Sequence, residues 1–189
     1  GWTADVVLSS DINLKGIDME VATSGYQNTF IVDKLVGAIT AHDEVINIDG
    51  VMGTAYADII RAANLDSILD GGAGNDGITA STAVDSIAGG LGDDTFTFAA
   101  NLTASDTING GAGNDTVSIT TTSNDVDWTN TSTVEVLAVV GGFTSTLGSA
   151  ASTAGFGRAQ LGAVGTVENI TVGSGFANDL TVVMAATGT

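Results

Sequence analysis

A large apolar residue recurs at every ninth position through the middle of the chain, among mostly small or polar residues. The series runs Val51, Ile60, Leu69, Ile78, Ile87 and Phe96. Three extra residues, Phe98-Ala99-Ala100, then interrupt it, and it resumes at Ile108, Val117 and, more weakly, Val126. Each of these residues would lie on a short strand and point into a core, because side chains alternate between the two faces of a strand. The pattern therefore predicts many short strands, stacked in nine-residue units.

Glycine and aspartate occupy the rest of three of these units. Residues 71–79, 89–97 and 110–118 read GGAGNDGIT, GGLGDDTFT and GGAGNDTVS. They share the pattern G-G-x-G-x-D-x-U-x, in which U is the apolar residue. The glycines allow a tight turn with positive φ and leave carbonyl groups free to face an ion, and the Asp supplies the hard, charged oxygen that Ca²⁺ prefers. This pattern is typical of the calcium-binding repeat of a parallel β-roll.

Two nonapeptides make one coil of such a roll, so residues 18 apart should stack and form two rows of carboxylates. One edge then carries Asp58, Asp76, Asp94 and Asp115, and the other carries Asp49, Asp66, Asp85 and Asp106. Stacked carboxylates repel one another unless a cation lies between them. We expect calcium on the first edge, where the glycines are. On the second edge we expect either weaker sites or Asp side chains that hydrogen-bond their own turns.

The sequence thus offers a defined set of candidate calcium ligands, with three departures from the repeat. Tyr56 replaces the third glycine of the earliest unit, Asp66 falls at position five, and the insertion at 98–100 is expected to distort the site between Asp94 and Asp115. The candidate residues are Asp58, Gly71, Gly72, Gly74, Asn75, Asp76, Asp85, Gly89, Gly90, Gly92, Asp93, Asp94, Asp106, Gly110, Gly111, Gly113, Asn114 and Asp115.

The segments on either side of the roll also predict β structure. Residues 1–43 contain strand-like pieces at 6–8, 19–21 and 30–32, and residues 44–127 form the roll. Residues 128–189 hold two copies of T-V-E-x-[LI]-x-V, at 133–139 and 166–172, whose Glu135 and Glu168 should each begin a strand. Residues 149–154 are the one plausible short helix there. Continued stacking would let every unit bury its neighbour's face, which predicts an all-β, parallel β-roll or β-helix solenoid.

Composition narrows the functional classes. The chain has 18 Asp and 4 Glu against 4 Lys and Arg, and its net charge is −18. A 43% hydrophobic content argues against disorder, and the acidity argues against nucleic acid as a partner. Cysteine is absent, so stability must come from the core and from metal. We expect no membrane span, since no run of about 18 apolar residues occurs, and no N-terminal signal peptide is visible.

Catalytic motifs are also missing. His42 is the single histidine, without the second histidine of a zinc-protease helix. No G-x-S-x-G nucleophile elbow occurs, and the paired Asp93-Asp94 lies inside a calcium motif. We therefore expect a protein that is not an enzyme.

The nonapeptides resemble those of the RTX (repeats-in-toxin) calcium-binding proteins. The string at 127–137, with Thr146-Leu147-Gly148 and residues 178–182, is similar to units of bacterial S-layer and giant surface RTX proteins. The resemblance covers roughly residues 44–185. It implies type I export of an unfolded chain that folds on extracellular calcium, with position-six Asp side chains and turn carbonyls as ligands.

Two functions follow as expectations. The first is a secreted structural protein, a subunit of an S-layer or surface filament that folds and self-assembles with Ca²⁺. The second is a calcium-dependent adhesin stalk or ligand-binding module of a larger RTX protein, for which a cell-surface polysaccharide is a candidate partner. An ice-binding role ranks lower, because Thr95, Thr97, Ser118 and Thr120 give only fragments of a threonine row.

Overall fold

The computed structural model describes residues 29–31, 50–62, 66–99, 102–162 and 168–184. Short parallel strands dominate these residues, joined by a 3₁₀ turn at Asp125–Trp128 and a short helix. The elements are β1 Thr29–Ile31, β2 Gly50–Met52, β3 Ile59–Arg61, β4 Ser67–Ala73, β5 Gly77–Thr79, β6 Asp85–Leu91, β7 Thr95–Phe98, β8 Thr107–Ala112, β9 Thr116–Ile119, β10 Thr131–Ser132, β11 Val136–Val139, β12 Thr144–Leu147, α1 Ser149–Ala154, β13 Arg158–Leu161, β14 Asn169–Val172 and β15 Thr181–Met184. No helix in this part of the chain is long and apolar enough to cross a membrane.

The strands wind into a solenoid of about six coils. One sheet has the order β1-β2-β4-β6-β8-β10, and the other has the order β15-β13-β11-β9-β7-β5-β3. Successive strands of the roll alternate between these sheets, so each coil contributes one strand to each. Gly77 pairs with Ile59 and with Thr95, which confirms that residues 18 apart stack.

The apolar residue of each nonapeptide points between the two sheets. Its side chain is buried in every unit for which it is described, from Ile60 to Val117. In one sheet Ile60, Ile78, Phe96 and Val117 stack in register, and Leu69, Ile87 and Ile108 do so in the other. At roughly 1.5–3 kcal/mol per fully buried large aliphatic side chain, this column is the main apolar contribution to the roll.

The insertion at 98–100 leaves the first edge intact. Thr95 pairs with Thr116 across the longer coil, and the ladder continues in register through Phe98 and Ile119. Phe98 ends β7, and the added length of the sequence falls between β7 and Asp106 of the second edge. The expected distortion between Asp94 and Asp115 is therefore wrong, because the amide of Asp94 still donates to Asp115 Oδ1 at 2.8 Å and the pairing of β7 with β9 is unbroken.

The roll changes into a broader β-helix after β9. Thr116 pairs with Val136, Val136 with Arg158 and Arg158 with Thr181, so these coils are longer than the two nonapeptides of a regular coil. A third, two-stranded sheet consists of β12 and β14. An isolated bridge connects Ser123 to Ser145 of β12. Trp128 and Phe156 fill the wider interior, with ring centroids 4.9 Å apart in an edge-to-face contact.

In this C-terminal part, some predictions from the sequence are confirmed and others are wrong. The helix at Ser149–Ala154 is confirmed, and Glu135 and Glu168 directly precede β11 and β14. The two T-V-E copies do not stack, because β11 and β14 belong to different sheets. Val126 is 59% exposed in the 3₁₀ turn, so its assignment to the nonapeptide series is wrong.

The N-terminal strand predictions are mostly untested. β1 overlaps the piece predicted at 30–32. The pieces at 6–8 and 19–21, together with His42 and Asp49, lie outside the described residues.

Candidate calcium-binding turns

The three perfect nonapeptides place their glycine turns one above another at the first edge of the roll. Positions two and four of each copy have a positive φ, between 95° and 148°, in which L side chains are strained. A Cβ on Gly90 or Gly92 would also collide with the carbonyl of Gly72 or Gly74 in the preceding coil. Glycine is therefore required twice over, by conformation and by the close approach of carbonyl oxygens from neighbouring coils.

The position-six aspartates form a continuous hydrogen-bonded ladder along this edge. The backbone amide of Asp58 donates to Asp76 Oδ1, that of Asp76 to Asp94 Oδ1, and that of Asp94 to Asp115 Oδ1, each at 2.8 Å. One oxygen of each carboxylate thus holds the preceding coil. The ladder keeps the same length across the coil that contains the insertion, so the turns at 71–76, 89–94 and 110–115 are near copies of one another.

The second oxygen of these aspartates has no protein partner. Asp76 Oδ2, Asp94 Oδ2 and Asp115 Oδ2 are all buried without a hydrogen bond. Each lies over the first glycine of its own turn, so closely that a Cβ on Gly71, Gly89 or Gly110 would collide with it. A buried, unpaired carboxylate oxygen is unfavourable, so a cation beside each Oδ2 fits the structure.

Backbone oxygens must supply most of any coordination shell at these turns. Within the described ranges, no group of three or more His, Asp or Glu side chains surrounds a common point. Calcium takes six to eight oxygen ligands and accepts backbone carbonyls readily. We propose that Asp76, Asp94 and Asp115, with carbonyl groups of the glycines at positions one, two and four of their turns, hold Ca²⁺.

The second edge is built differently, because Asp85 and Asp106 satisfy both carboxylate oxygens within the protein. Asp85 Oδ2 accepts the amide of Ser81 at 2.7 Å and its hydroxyl at 3.0 Å, while Asp106 Oδ1 accepts the amide of Asp85 at 2.9 Å. Asp106 Oδ2 accepts the amide and hydroxyl of Thr103. Asp66 is exposed and accepts the amide of Val84 at 3.1 Å. Of the two alternatives for this edge, these contacts favour the turn-closing role over calcium binding for Asp85 and Asp106.

Asp58 lies on the first edge, but its hydrogen bonds resemble those of the aspartates on the second edge. Its Oδ2 accepts the amide of Thr54 at 2.6 Å and the hydroxyl at 2.8 Å. We therefore propose that Asp58 closes its own turn and that calcium begins with the turn of Asp76.

The two kinds of turn differ in sequence by a Ser or Thr near the start of the turn, which the positions of Asp and Gly alone do not reveal. Thr54 and Ser81 stand at position two, where the perfect copies have Gly72, Gly90 and Gly111. Thr103 stands one position later in its unit. A hydroxyl residue near the start of the turn donates to the carboxylate, whereas glycine leaves one carboxylate oxygen free for an ion.

The side chains at position five form a second ladder between turns, in which every hydrogen bond runs in the same direction. The amide of Asp93 donates to Asn75 Oδ1 at 3.0 Å, and the amide of Asn114 donates to Asp93 Oδ1 at 2.9 Å, so each later turn donates to the earlier one. All three side chains are exposed. These hydrogen bonds connect neighbouring turns, so we propose that Asn75, Asp93 and Asn114 orient the turns relative to one another.

Burial of these carboxylates shifts their titration in the calcium-free protein. Burial raises the pKa of Asp76 to about 7, with the neighbouring Asp94 carboxylate adding to the shift. It raises the pKa of Asp115 to about 6, and it also raises the pKa of Asp94 and Asp85. Hydrogen bonds from the backbone oppose each shift without cancelling it. At the proposed sites, protons would therefore compete with calcium for the same oxygens.

Lowering the pH should weaken the stabilisation that calcium provides. Since the folded-state pKa of Asp76 and Asp115 lies above the unfolded value, the calcium-free fold loses stability as pH rises, up to about 6 to 7. Calcium binds the ionised form, so it restores that stability at alkaline pH and adds little at about pH 5. Thermal melts of calcium-free protein, with and without added CaCl₂, should differ strongly at about pH 8 and slightly at about pH 5. An equal difference at both values would contradict the assignment.

Comparison with known proteins agrees with this geometry. A family model described as the RTX calcium-binding nonapeptide repeat (4 copies) matches residues 52–81, 63–96 and 103–118. These ranges contain all three turns that carry an unpaired Oδ2. No curated protein and no solved structure matches the chain.

Proposed function

Since the chain belongs to the RTX calcium-binding family through its nonapeptide repeats, we propose that it is a structural unit of a bacterial cell surface, folding and assembling with Ca²⁺ into an S-layer or filament. RTX repeats bind Ca²⁺ and form a calcium-binding structural module of secreted proteins. The observation that carries the proposal is the row of buried, unpaired Asp oxygens along one edge of a stackable solenoid.

Calcium binding would act as the folding switch of such a unit. Each ion replaces repulsion between stacked carboxylates with attraction, and binding free energy becomes folding free energy when the site is absent from the unfolded chain. A chain with net charge −18 would stay expanded where calcium is scarce. It could then be exported unfolded and become ordered outside the cell, as the resemblance to surface RTX proteins implies.

The outermost described coil supplies a surface for assembly. β15 pairs with β13 on one side, and the described residues place no strand on its other side. Its apolar residues are exposed, with Val182 at 49% and Met184 at 75%. An open strand edge with apolar side chains pairs readily with another chain. We propose that it meets the first strands of another copy, a heterologous contact that propagates; the candidate segment at 5–8 lies outside the described residues.

Removing this strand should abolish assembly without abolishing calcium-dependent folding. The full chain in calcium should form large ordered particles, visible by light scattering and electron microscopy, which disperse in chelator. Deletion of residues 180–189 should leave small particles in calcium, because the pairing edge is lost. Deletion of 185–189 alone is the matched control, since it retains β15.

The outcomes separate the candidate functions. Polymerisation of the 180–189 deletion as readily as the full chain would overturn strand pairing at β15. Soluble monomers of the full chain in calcium would overturn the S-layer or filament role and favour an adhesin stalk. Binding of those monomers to cell-surface polysaccharide would then support the adhesin directly.

A further inference from the structure

Glu135 lies beyond the last nonapeptide, yet it occupies the next place in the aspartate ladder. The amide of Asp115 donates to Glu135 Oε2 at 2.8 Å, the same distance as in the three Asp steps before it. The backbone amides of Glu135 and Val136 in turn donate to the carbonyl of Asp115 at 3.2 and 2.9 Å. The register agrees, because Val136 pairs with Thr116. Glu135 thus holds the coil of Asp115 as each Asp holds the coil before it.

The segment that carries Glu135 has no glycine turn of its own. In the register of the two sheets, the stretch at 133–135 takes the place that the stretch at 110–115 has in the preceding coil. A shorter path from Thr133 to Glu135 therefore replaces the glycine turn, and the longer Glu side chain reaches back to the amide of Asp115.

Thr133 closes the other side of the same turn. It has a φ of 50°, a left-handed conformation that is unfavourable for a β-branched residue. Its hydroxyl accepts the amide of Gly111 at 2.9 Å and donates to Asn109 Oδ1 at 2.7 Å. A Cβ on Gly110 would collide with its carbonyl oxygen. Surrounding contacts therefore hold the strained residue against the last glycine turn.

We propose that Glu135 is the positioning residue of the last calcium turn, residues 110–115, acting from outside the repeats. Without it the amide of Asp115 would lack an acceptor, and Asp115 carries one of the three unpaired buried carboxylate oxygens of the described turns. The inference rests on the proposed use of Asp115 as a calcium ligand. It assigns to the T-V-E motif a function that neither its strand position nor the nonapeptide pattern indicates.

Glu168 provides a matched control, because it belongs to the other copy of the motif. Glu168 Oε1 accepts the amides of Gly141 and Gly142 at 3.3 Å. Both glutamates therefore accept backbone amides, but only Glu135 accepts the amide of a nonapeptide Asp. Replacing Glu168 should leave the calcium turns unaffected.

The test is a calcium titration followed at single turns by NMR of backbone amides in the full chain. Gly111 and Gly113 report on the last turn, and Gly72 and Gly74 report on the first. Glu135→Ala should raise the calcium midpoint at Gly111 and Gly113 about tenfold, the size expected for a lost hydrogen bond to a charged group. The midpoint at Gly72 and Gly74 should change little. Glu135→Gln retains an acceptor and should titrate close to the unmodified chain, and so should Glu168→Ala.

Two results would overturn the inference. An unchanged midpoint at Gly111 in Glu135→Ala would show that the last turn does not need this residue. A Glu135→Gln variant as impaired as Glu135→Ala would assign the effect to charge and not to positioning. Failure of calcium binding itself is distinguishable, since Gly72 and Gly74 would then not respond to calcium in any variant, the unmodified chain included.

Discussion

Chelation of calcium should unfold the roll at neutral pH. Addition of EGTA to the calcium-loaded protein should remove the β signal of the roll, residues 44–127, from the circular dichroism spectrum, and calcium should restore it. The expected midpoint lies near 10⁻⁴ to 10⁻³ M, about the range of extracellular calcium modules. Cooperation along the stack would make binding tighter, because each ladder step joins two adjacent turns.

The size of the effect follows from three atoms. Asp76 Oδ2, Asp94 Oδ2 and Asp115 Oδ2 are buried without a partner. Leaving one such oxygen unpaired costs about 1–3 kcal/mol, and more when the group is charged. Three of them cost about 3–9 kcal/mol, which is comparable with a typical total stability of about 5–15 kcal/mol. The described structure of the roll should therefore not survive at neutral pH without cations.

Magnesium at equal concentration distinguishes coordination from simple screening of charge. Mg²⁺ demands near-ideal octahedral geometry and keeps several of its waters, so it should not restore the β signal lost in EGTA. Full restoration by magnesium or by sodium chloride would mean that charge neutralisation alone is sufficient. An unchanged spectrum and melting temperature in chelator would contradict the proposed role of calcium altogether.

The roll could be predicted well because a single repeat length, two nonapeptides per coil, determines it. A coil of two nonapeptides sets the positions of the position-six Asp and the position-eight apolar residue in the roll. The buried residues from Ile60 to Val117 and the first-edge ladder both follow from this repeat length. The insertion at 98–100 changed one coil without changing the phase at either end. Residues 98–100 come after Asp94 and before Asp106, so the order of the sequence already places them on the path to the second edge.

Prediction was weaker beyond β9, where the nonapeptide repeat ends. Beyond β9 each coil is longer than two nonapeptides and differs from the next, so the recurrence of T-V-E along the sequence does not correspond to stacking in space. The role of Glu135 was missed for the same reason, since Glu135 is out of phase with Asp115 in the nonapeptide count. At the second edge the decisive contacts come from hydroxyls of Ser81 and Thr103, which a count of Asp and Gly positions does not include.

Replacing Asp94 by Asn should destabilise the protein in calcium but not in its absence. Asn retains an Oδ1 that accepts the amide of Asp76, and the backbone amide of residue 94 still donates to Asp115. The substitution removes the charge that burial disfavours and that repels Asp76. In EGTA at about pH 5, where protonated carboxylates let the roll persist without calcium, Asp94→Asn should therefore melt at the same or a higher temperature than the unmodified protein. In calcium it should melt lower, because it lacks an anionic ligand in the middle of the stack.

Asp85→Asn is the matched variant on the second edge. Asp85 Oδ2 accepts both the amide and the hydroxyl of Ser81, and an amide nitrogen in that place cannot accept either. This loss does not involve calcium, so Asp85→Asn should be destabilised by about 1–3 kcal/mol whether calcium is present or not. Its calcium midpoint should rise less than that of Asp94→Asn, for which we expect an increase of about tenfold or more.

Melting temperatures of the two variants, in calcium at neutral pH and in EGTA at about pH 5, decide between the edges. A destabilisation of Asp94→Asn of the same size in both conditions would mean that Asp94 closes a turn and does not bind the ion. A loss confined to calcium in Asp85→Asn would mean that the second edge also binds calcium, despite its satisfied carboxylates. The contrast is sharp because the two aspartates occupy equivalent positions in their nonapeptides and differ in what faces the second oxygen: a glycine turn at Asp94 and the Ser81 hydroxyl at Asp85.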